Sequence, residues 1–329
     1  MTEPSGGLID TTDDIPFRLR DIKLKFNMGD THPIFNKIDD IRKQWKFMIL
    51  LARHDWKRAN YSMLGFGILA FVLGAISSDI LTGGDTMSTG MDGLLGVGSF
   101  SFFQMLLSIV AWVVFLYFVW VEFPVMRVHS ITMMLIWNGM VMANVFFHEG
   151  NPNWPADIAL ADMMYGTLIM LVVIFFTYFF WKAVTDTRDL HVRVRHVHED
   201  VRIMERDMHE HALGGWSSML LVWFLTTFIS AWSGINFVAS RNNDSYLMLF
   251  THILSGIIVV PLILMIIWYP QRMLGDNARI STSAALTAEI EMKHGQLNII
   301  ADAKCPECAV PIEIKMEMDG QILVPCPEH

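Results

Sequence analysis

The amino-acid sequence predicts an all-α polytopic membrane protein with six transmembrane helices, a cytoplasmic helical stalk and a small C-terminal β-hairpin. Three observations lead there. Hydrophobic residues make up 53% of the chain and charged residues 17%, against roughly 45–50% and 25% in soluble domains. The excess is gathered into six runs, at 61–81, 100–121, 128–147, 159–181, 216–238 and 246–268, each near the roughly 20 apolar residues that a bilayer span needs. Lys and Arg alternate between sparse and dense from one connection to the next. Runs of this length must be helical, because hydrocarbon leaves no partner for an open backbone.

The basic residues also orient the spans. Eleven Lys and Arg lie between Arg18 and Arg58, and six between Lys182 and Gly215. More follow from Arg272, whereas 82–99 and 149–158 have none. Basic connections stay inside, so both termini are expected in the cytoplasm, with three loops outside. The net charge of −9 carries no information about orientation. The polar opening has no apolar stretch after a basic one, so a cleavable signal peptide is not expected. These features favour a prokaryotic plasma membrane.

Residues 1–33 read as disordered, being polar and rich in Gly, Pro and Thr. The segment 34–60 reads as an amphipathic basic helix, with Ile38, Ile41, Trp45, Met48, Ala52 and Trp56 at helical spacing. Such a helix either lies on an anionic membrane face or docks on the protein's own cytoplasmic side. Within the membrane domain, 61–268, the fourth span runs on into a stalk at 182–213. There Leu190, Val194, Val197, Val201, Met204 and Met208 form a heptad seam of under three repeats. His191, His196, His198, His209 and His211 crowd that stalk, as polar positions on a solvated helix or as a pH-responsive group. Residues 269–303 read as a tether with one short helix at 282–297.

The tail, 304–329, holds all three cysteines. Cys305 and Cys308 form Cys-x-x-Cys, and Cys326 and His329 form Cys-x-x-His. Between them the alternation of Ile312, Ile314, Met316 and Met318 with charged residues predicts a strand. Asp319-Gly320 predicts a two-residue turn, and 321–324 a return strand. Four N/S ligands brought together by a hairpin suit tetrahedral zinc. The segment resembles the zinc-ribbon family, from which it departs in Ala309, where ribbons commonly have Gly, and in ending on His rather than a fourth Cys. The resemblance implies a structural Zn2+ held by Cys305, Cys308, Cys326 and His329. The ribbon is acidic, so nucleic acid is not an expected partner. A cytoplasmic protein or a second copy of the chain is expected, together with membrane lipid.

Inside the spans, absences limit the function. Asp79, Glu122, Asp162, His129 and His148 lie near span ends, and His252 is the deepest ionisable group, about 9 Å inside its run at 1.5 Å per residue. Ion-coupled pumps usually place ionisable groups at the midplane, and none stands there. Gln104, Asn138, Asn144, Thr226, Thr227 and Asn236 are expected to hydrogen-bond between helices. Two histidines are too few for a diheme protein, and the 24 methionines are ordinary core filler, so haem and copper are not expected. No catalytic constellation is legible. The leading expectation is a membrane protein whose cytoplasmic ribbon and helices serve protein interaction or regulation. A small-solute transporter or channel with the ribbon as accessory, and a membrane metal or redox enzyme using His148 and His252, remain as alternatives.

Overall fold

The apolar runs are helices. The computed structural model divides into two units, Met1–Ile280 and Ser281–His329. It describes residues 19–76, 99–148, 159–195, 212–239 and 246–274 of the first, and strand residues 299–304, 311–316 and 322–323 of the second. The helices of the first unit are α1 (Asn36–Asp55), α2 (Arg58–Ile76), α3 (Ser99–Glu122), α4 (Arg127–His148), α5 (Leu160–Arg195), α6 (Gly214–Ala239) and α7 (Tyr246–Leu274). Among the described residues, six helices, α2 to α7, are long and apolar enough to cross a membrane. This is the make-up of a multi-pass membrane protein. α5 passes without a break beyond its apolar part, as the stalk requires, and the remainder of the stalk at 196–211 lies outside the described residues.

Neighbours in the bundle run in the order α3, α2, α7, α6, α4, α5. Half of the α7 span is buried but only 17% of the α5 span, which puts α7 at the centre and α5 at the edge. α3 and α4 are joined by a tight turn at Pro124, which cannot donate to a continuing helix. The buried Gln271 side chain of α7 accepts from Val125 N in that turn at 2.9 Å. Beyond the turn α3 and α4 touch only lightly.

α1 crosses one end of this bundle, here termed the basal face. Trp45 Nε1 donates to Gly215 O at 2.9 Å and to Ser218 Oγ at 2.7 Å, in the first turn of α6. Gly215 N donates to Gln44 Oε1. The approach is close enough that a Cβ on Gly215 would stand 2.6 Å from Gln44 Cβ. Ten residues further along α1, Arg272 Nε in the last turn of α7 donates to Asp55 Oδ2 at 2.7 Å, and Trp56 meets Trp268 edge to face at 6.3 Å. Of the two sequence readings of this helix, the structure realises docking on the protein's own bundle.

Two expectations are corrected on this face. The buried side of α1 is formed by Phe47, Met48, Leu51 and Ala52, while Ile38 is 42% exposed. The bonds from α1 to α6 and α7 come from Gln44, Trp45 and Asp55, beyond the first turns of the helix. Residues 19–33, read as disordered, are seated on the helix instead. Leu19 and Ile22 are buried, Lys46 Nζ donates to Lys23 O at 2.7 Å, and Arg42 Nη1 donates to Phe26 O at 3.0 Å. Asp39 accepts from Gly29 N at 2.7 Å and from Arg42 Nη1 at 2.6 Å. The Gly29 hydrogen bond, with help from Arg42, holds its carboxyl below the usual carboxylate range. Composition misled because three hydrogen bonds to α1 and two buried apolar residues, rather than a run of apolar residues, hold this segment.

The second unit contains β1 (Ile299–Lys304), β2 (Pro311–Met316) and β3 (Ile322–Leu323), an antiparallel sheet in the order β1-β2-β3. β2 and β3 lie within the two stretches read as strands, but Lys315 pairs with Leu323 and Met316 with Ile322, one residue out of the register that a two-residue turn at Asp319-Gly320 would set. β1 occupies the end of the stretch read as tether. The helix expected at 282–297 and the four ligand positions Cys305, Cys308, Cys326 and His329 lie outside the described residues.

Asp55 tests the docking of α1. Burial works to raise its pKa, but hydrogen bonds from His54 and Arg272 and the Arg272 charge outweigh this, leaving the carboxyl below its ordinary value. A depressed folded pKa stabilises the fold above the unfolded value of about 4, and that stabilisation disappears as pH falls through the folded pKa. Asp55→Asn is expected to remove about 1 kcal/mol, a drop of about 2–4 °C in melting temperature near neutral pH. In thermal melts across a pH series, the gap between variant and wild type should narrow toward acid.

Candidate functional site

Helices associate in a bilayer through close packing at small residues rather than through exclusion of water. α6 places Gly234 one turn after Ser230, and α7 places Gly256 one turn after His252. With no side chain at 234, the Ser230 carbonyl is open to the His252 ring. His252 Nδ1 donates to Ser230 O at 2.8 Å, with Ser230 Oγ at 3.2 Å. A Cβ on Gly234 would stand 2.8 Å from that nitrogen. Gly256 leaves the space that the Phe71 ring of α2 fills, where a Cβ would overlap it. That ring lies 5.0 Å from the imidazole, centroid to centroid. A carbonyl oxygen only accepts, so Nδ1 carries the proton and, in the neutral imidazole, Nε2 carries the lone pair.

The imidazole lines a cavity of about 480 Å³ in the cleft where α3 and α4 part. Its other walls are Ala70, Phe71, Gly74 and Ala75 of α2, Trp112 and Leu116 of α3, Met134, Trp137, Asn138 and Val141 of α4, and Ala231, Gly234 and Ile235 of α6. Trp112 and Trp137 meet edge to face at 5.9 Å, and Trp137 meets the buried Trp223 at 6.5 Å. Apart from the indole N–H groups of Trp112 and Trp137, only His252 and Asn138 bring polar side chains to the cavity. Asn138 Nδ2 donates to Met134 O of its own helix at 2.9 Å. Nε2 of His252 and Oδ1 of Asn138 take no hydrogen bond among the described residues.

The other predicted residues fall elsewhere. His148 is buried at the end of α4, where Asn236 Nδ2 donates to its Nε2 at 3.0 Å. His148 and His252 are thus held by separate residues of α6, Asn236 and Ser230, about 9 Å apart along its axis at 1.5 Å per residue. Among the described residues, no group of three or more His, Cys, Asp or Glu converges on a point that could hold a metal. Charged residues of the described spans stand near their ends, Asp162 at one and Glu122, Arg127, Lys182 and Arg272 at the other. No family, curated protein or solved structure matches this chain. Its function must therefore be read from the geometry.

Most of the uncharged polar residues do not bridge helices as expected. Gln104 does, donating to Leu73 O at 3.4 Å, and Asn236 reaches His148. Asn138, Asn144 and Thr226 instead donate to carbonyls one turn back in their own helices, an alternative always within reach of short polar side chains. The aromatic wall of Phe71, Trp112 and Trp137 was not foreseen, because single aromatics in apolar runs look like core. The glycines one turn beyond Ser230 and His252 were the available signal.

Packing at these glycines predicts a graded series. Gly256→Ala and Gly234→Ala should each destabilise the detergent-solubilised protein by about 1–3 kcal/mol through overpacking, with Gly256→Ala the more severe. Gly65→Ala, where a Cβ meets nothing within 4 Å, should leave the melting temperature unchanged in the same thermal-shift measurement.

Proposed function

We propose that the protein is a membrane receptor, in which the bundle binds a small lipophilic molecule from the bilayer and the cytoplasmic parts report occupancy to a protein partner. The cavity beside His252 carries this reading. Ligand sites typically measure about 300–1,000 Å³, have apolar and aromatic walls with few polar groups, and lie between the helices of bundles. A cavity of about 480 Å³ with an oriented imidazole fits each criterion. One helix, α6, contacts both ends of the arrangement: Ser230 holds His252, and Gly215 and Ser218 hold α1. The Lys and Arg distribution supports a cytoplasmic basal face, with both termini inside. With charged side chains kept to the ends of the described spans, ligand binding is favoured over ion-coupled transport.

Extraction of the full chain into nanodiscs without detergent, followed by mass spectrometry of bound small molecules, tests the receptor. Wild type should carry a lipophilic compound at close to one per chain. Val141→Trp, which fills the cavity, should melt normally and lose the compound. Equal lipid content in both proteins would sink the reading.

A second reading concerns the tail. We propose that 304–329 is a zinc ribbon whose Zn2+ is structural and held by Cys305, Cys308, Cys326 and His329. The strand register supports it. Lys304 pairs with Pro311 on either side of the Cys305–Cys308 segment. The antiparallel pairs Lys315–Leu323 and Met316–Ile322 lie between Cys308 and Cys326 in the sequence. So small a sheet has little core of its own, and metal binding would supply its folding energy. Elemental analysis of the purified protein should find about one zinc per chain, lost when Cys305 and Cys308 are both replaced by Ser.

A further inference from the structure

We infer that the ligand of this cavity is a ring-bearing lipophilic alcohol, of the phenol or hydroquinone class, that donates hydrogen bonds to His252 Nε2 and Asn138 Oδ1. The inference rests on the cavity being a ligand site. It follows from which polar atoms the helices have already engaged. The Ser230 carbonyl binds the Nδ1 proton of His252 at 2.8 Å, so the ring offers the cavity a lone pair on Nε2. Asn138 gives one of its two amide hydrogens to Met134 O at 2.9 Å, which leaves Oδ1 and the second N–H to the cavity. The ligand therefore meets an acceptor at His252 Nε2 and both an acceptor and a donor at Asn138, a set that a hydroxyl group, which donates and accepts, complements. A carbonyl compound of equal size would leave His252 Nε2 without a donor in an apolar cavity, where unsatisfied polar atoms are most destabilising.

The walls select the rest of the molecule. Phe71, Trp112 and Trp137 offer aromatic faces and edges at the level of the two acceptors, which favours a planar ring over a plain alkyl alcohol. The remaining lining from Ala70, Leu116 and Met134 is apolar and suits a hydrocarbon substituent. A charged ligand has no partner here, since no Asp, Glu, Lys or Arg lines the cavity.

The test compares an alkyl hydroquinone, kept reduced under argon, with its dimethyl ether, which preserves ring and tail but lacks donors. Each is titrated into the full chain in nanodiscs, against protein-free nanodiscs as blank, with binding read from the fluorescence of the cavity tryptophans. The hydroquinone should bind at least about tenfold more tightly than the ether, the loss expected for one unsatisfied hydrogen-bonding group. Asn138→Leu, a substitution at an exposed position that removes no bond between helices, should shrink that preference, and His252→Phe should abolish it. Equal affinity of the two compounds would overturn the donor requirement while leaving the cavity a ligand site. Binding of neither, or binding unchanged in Val141→Trp, would overturn the receptor reading beneath it.

Discussion

The contact between α6 and α7 is the constraint from which the rest of the bundle follows. In a bilayer, burying a leucine against another leucine gains little over burying it against lipid, so the closeness of approach decides which helices associate. Gly234 on α6 keeps this contact free of bulk, since a Cβ there would meet the His252 ring of α7. Small residues also set the chemistry of the site. Gly234 uncovers the carbonyl that holds His252, and Gly256 receives the Phe71 ring that brings α2 against α7. Packing and ligand chemistry are thus determined by the same few positions.

That contact also explains how separated features communicate. α6 is engaged at three levels by three other elements. Its first turn accepts α1 through Trp45 and Gln44, its middle holds His252 of α7, and its far end reaches His148 of α4. α1 in turn carries the segment from Leu19 to His32 through Asp39, Arg42 and Lys46. A displacement of α6 would therefore be felt at the basal face through these contacts. This is the physical basis for reading the protein as a receptor.

The sequence disclosed the architecture to the extent that it depends on solvation. Spans, their number and the basic face follow from where hydrocarbon tolerates side chains, and these were legible to within a few residues at most ends. His252 was legible as the deepest ionisable group, and its importance was argued from depth alone. Its partner was not, since the partner is a backbone carbonyl and every residue has one. The polar residues Asn138, Asn144 and Thr226 were misread because a helix offers each of them a carbonyl one turn away, an option that spacing cannot distinguish from a neighbour's. The order of residues 19–33 escaped for a related reason: it depends on Asp39, Arg42 and Lys46, whose types promise only a solvated surface.

Residue composition by itself determined that this chain is six apolar helices with a basic face and a cysteine-bearing tail, because partition between water and hydrocarbon acts residue by residue. Only the tertiary structure decided that α3 and α4, adjacent in sequence, stand apart, and that His252, Asn138 and three aromatic rings from four helices border the space between them. Such a cleft is a property of how helices of fixed shape fit together. The fit turns on the absence of two side chains, at Gly234 and Gly256, whose consequences appear only when the neighbouring helix is in place.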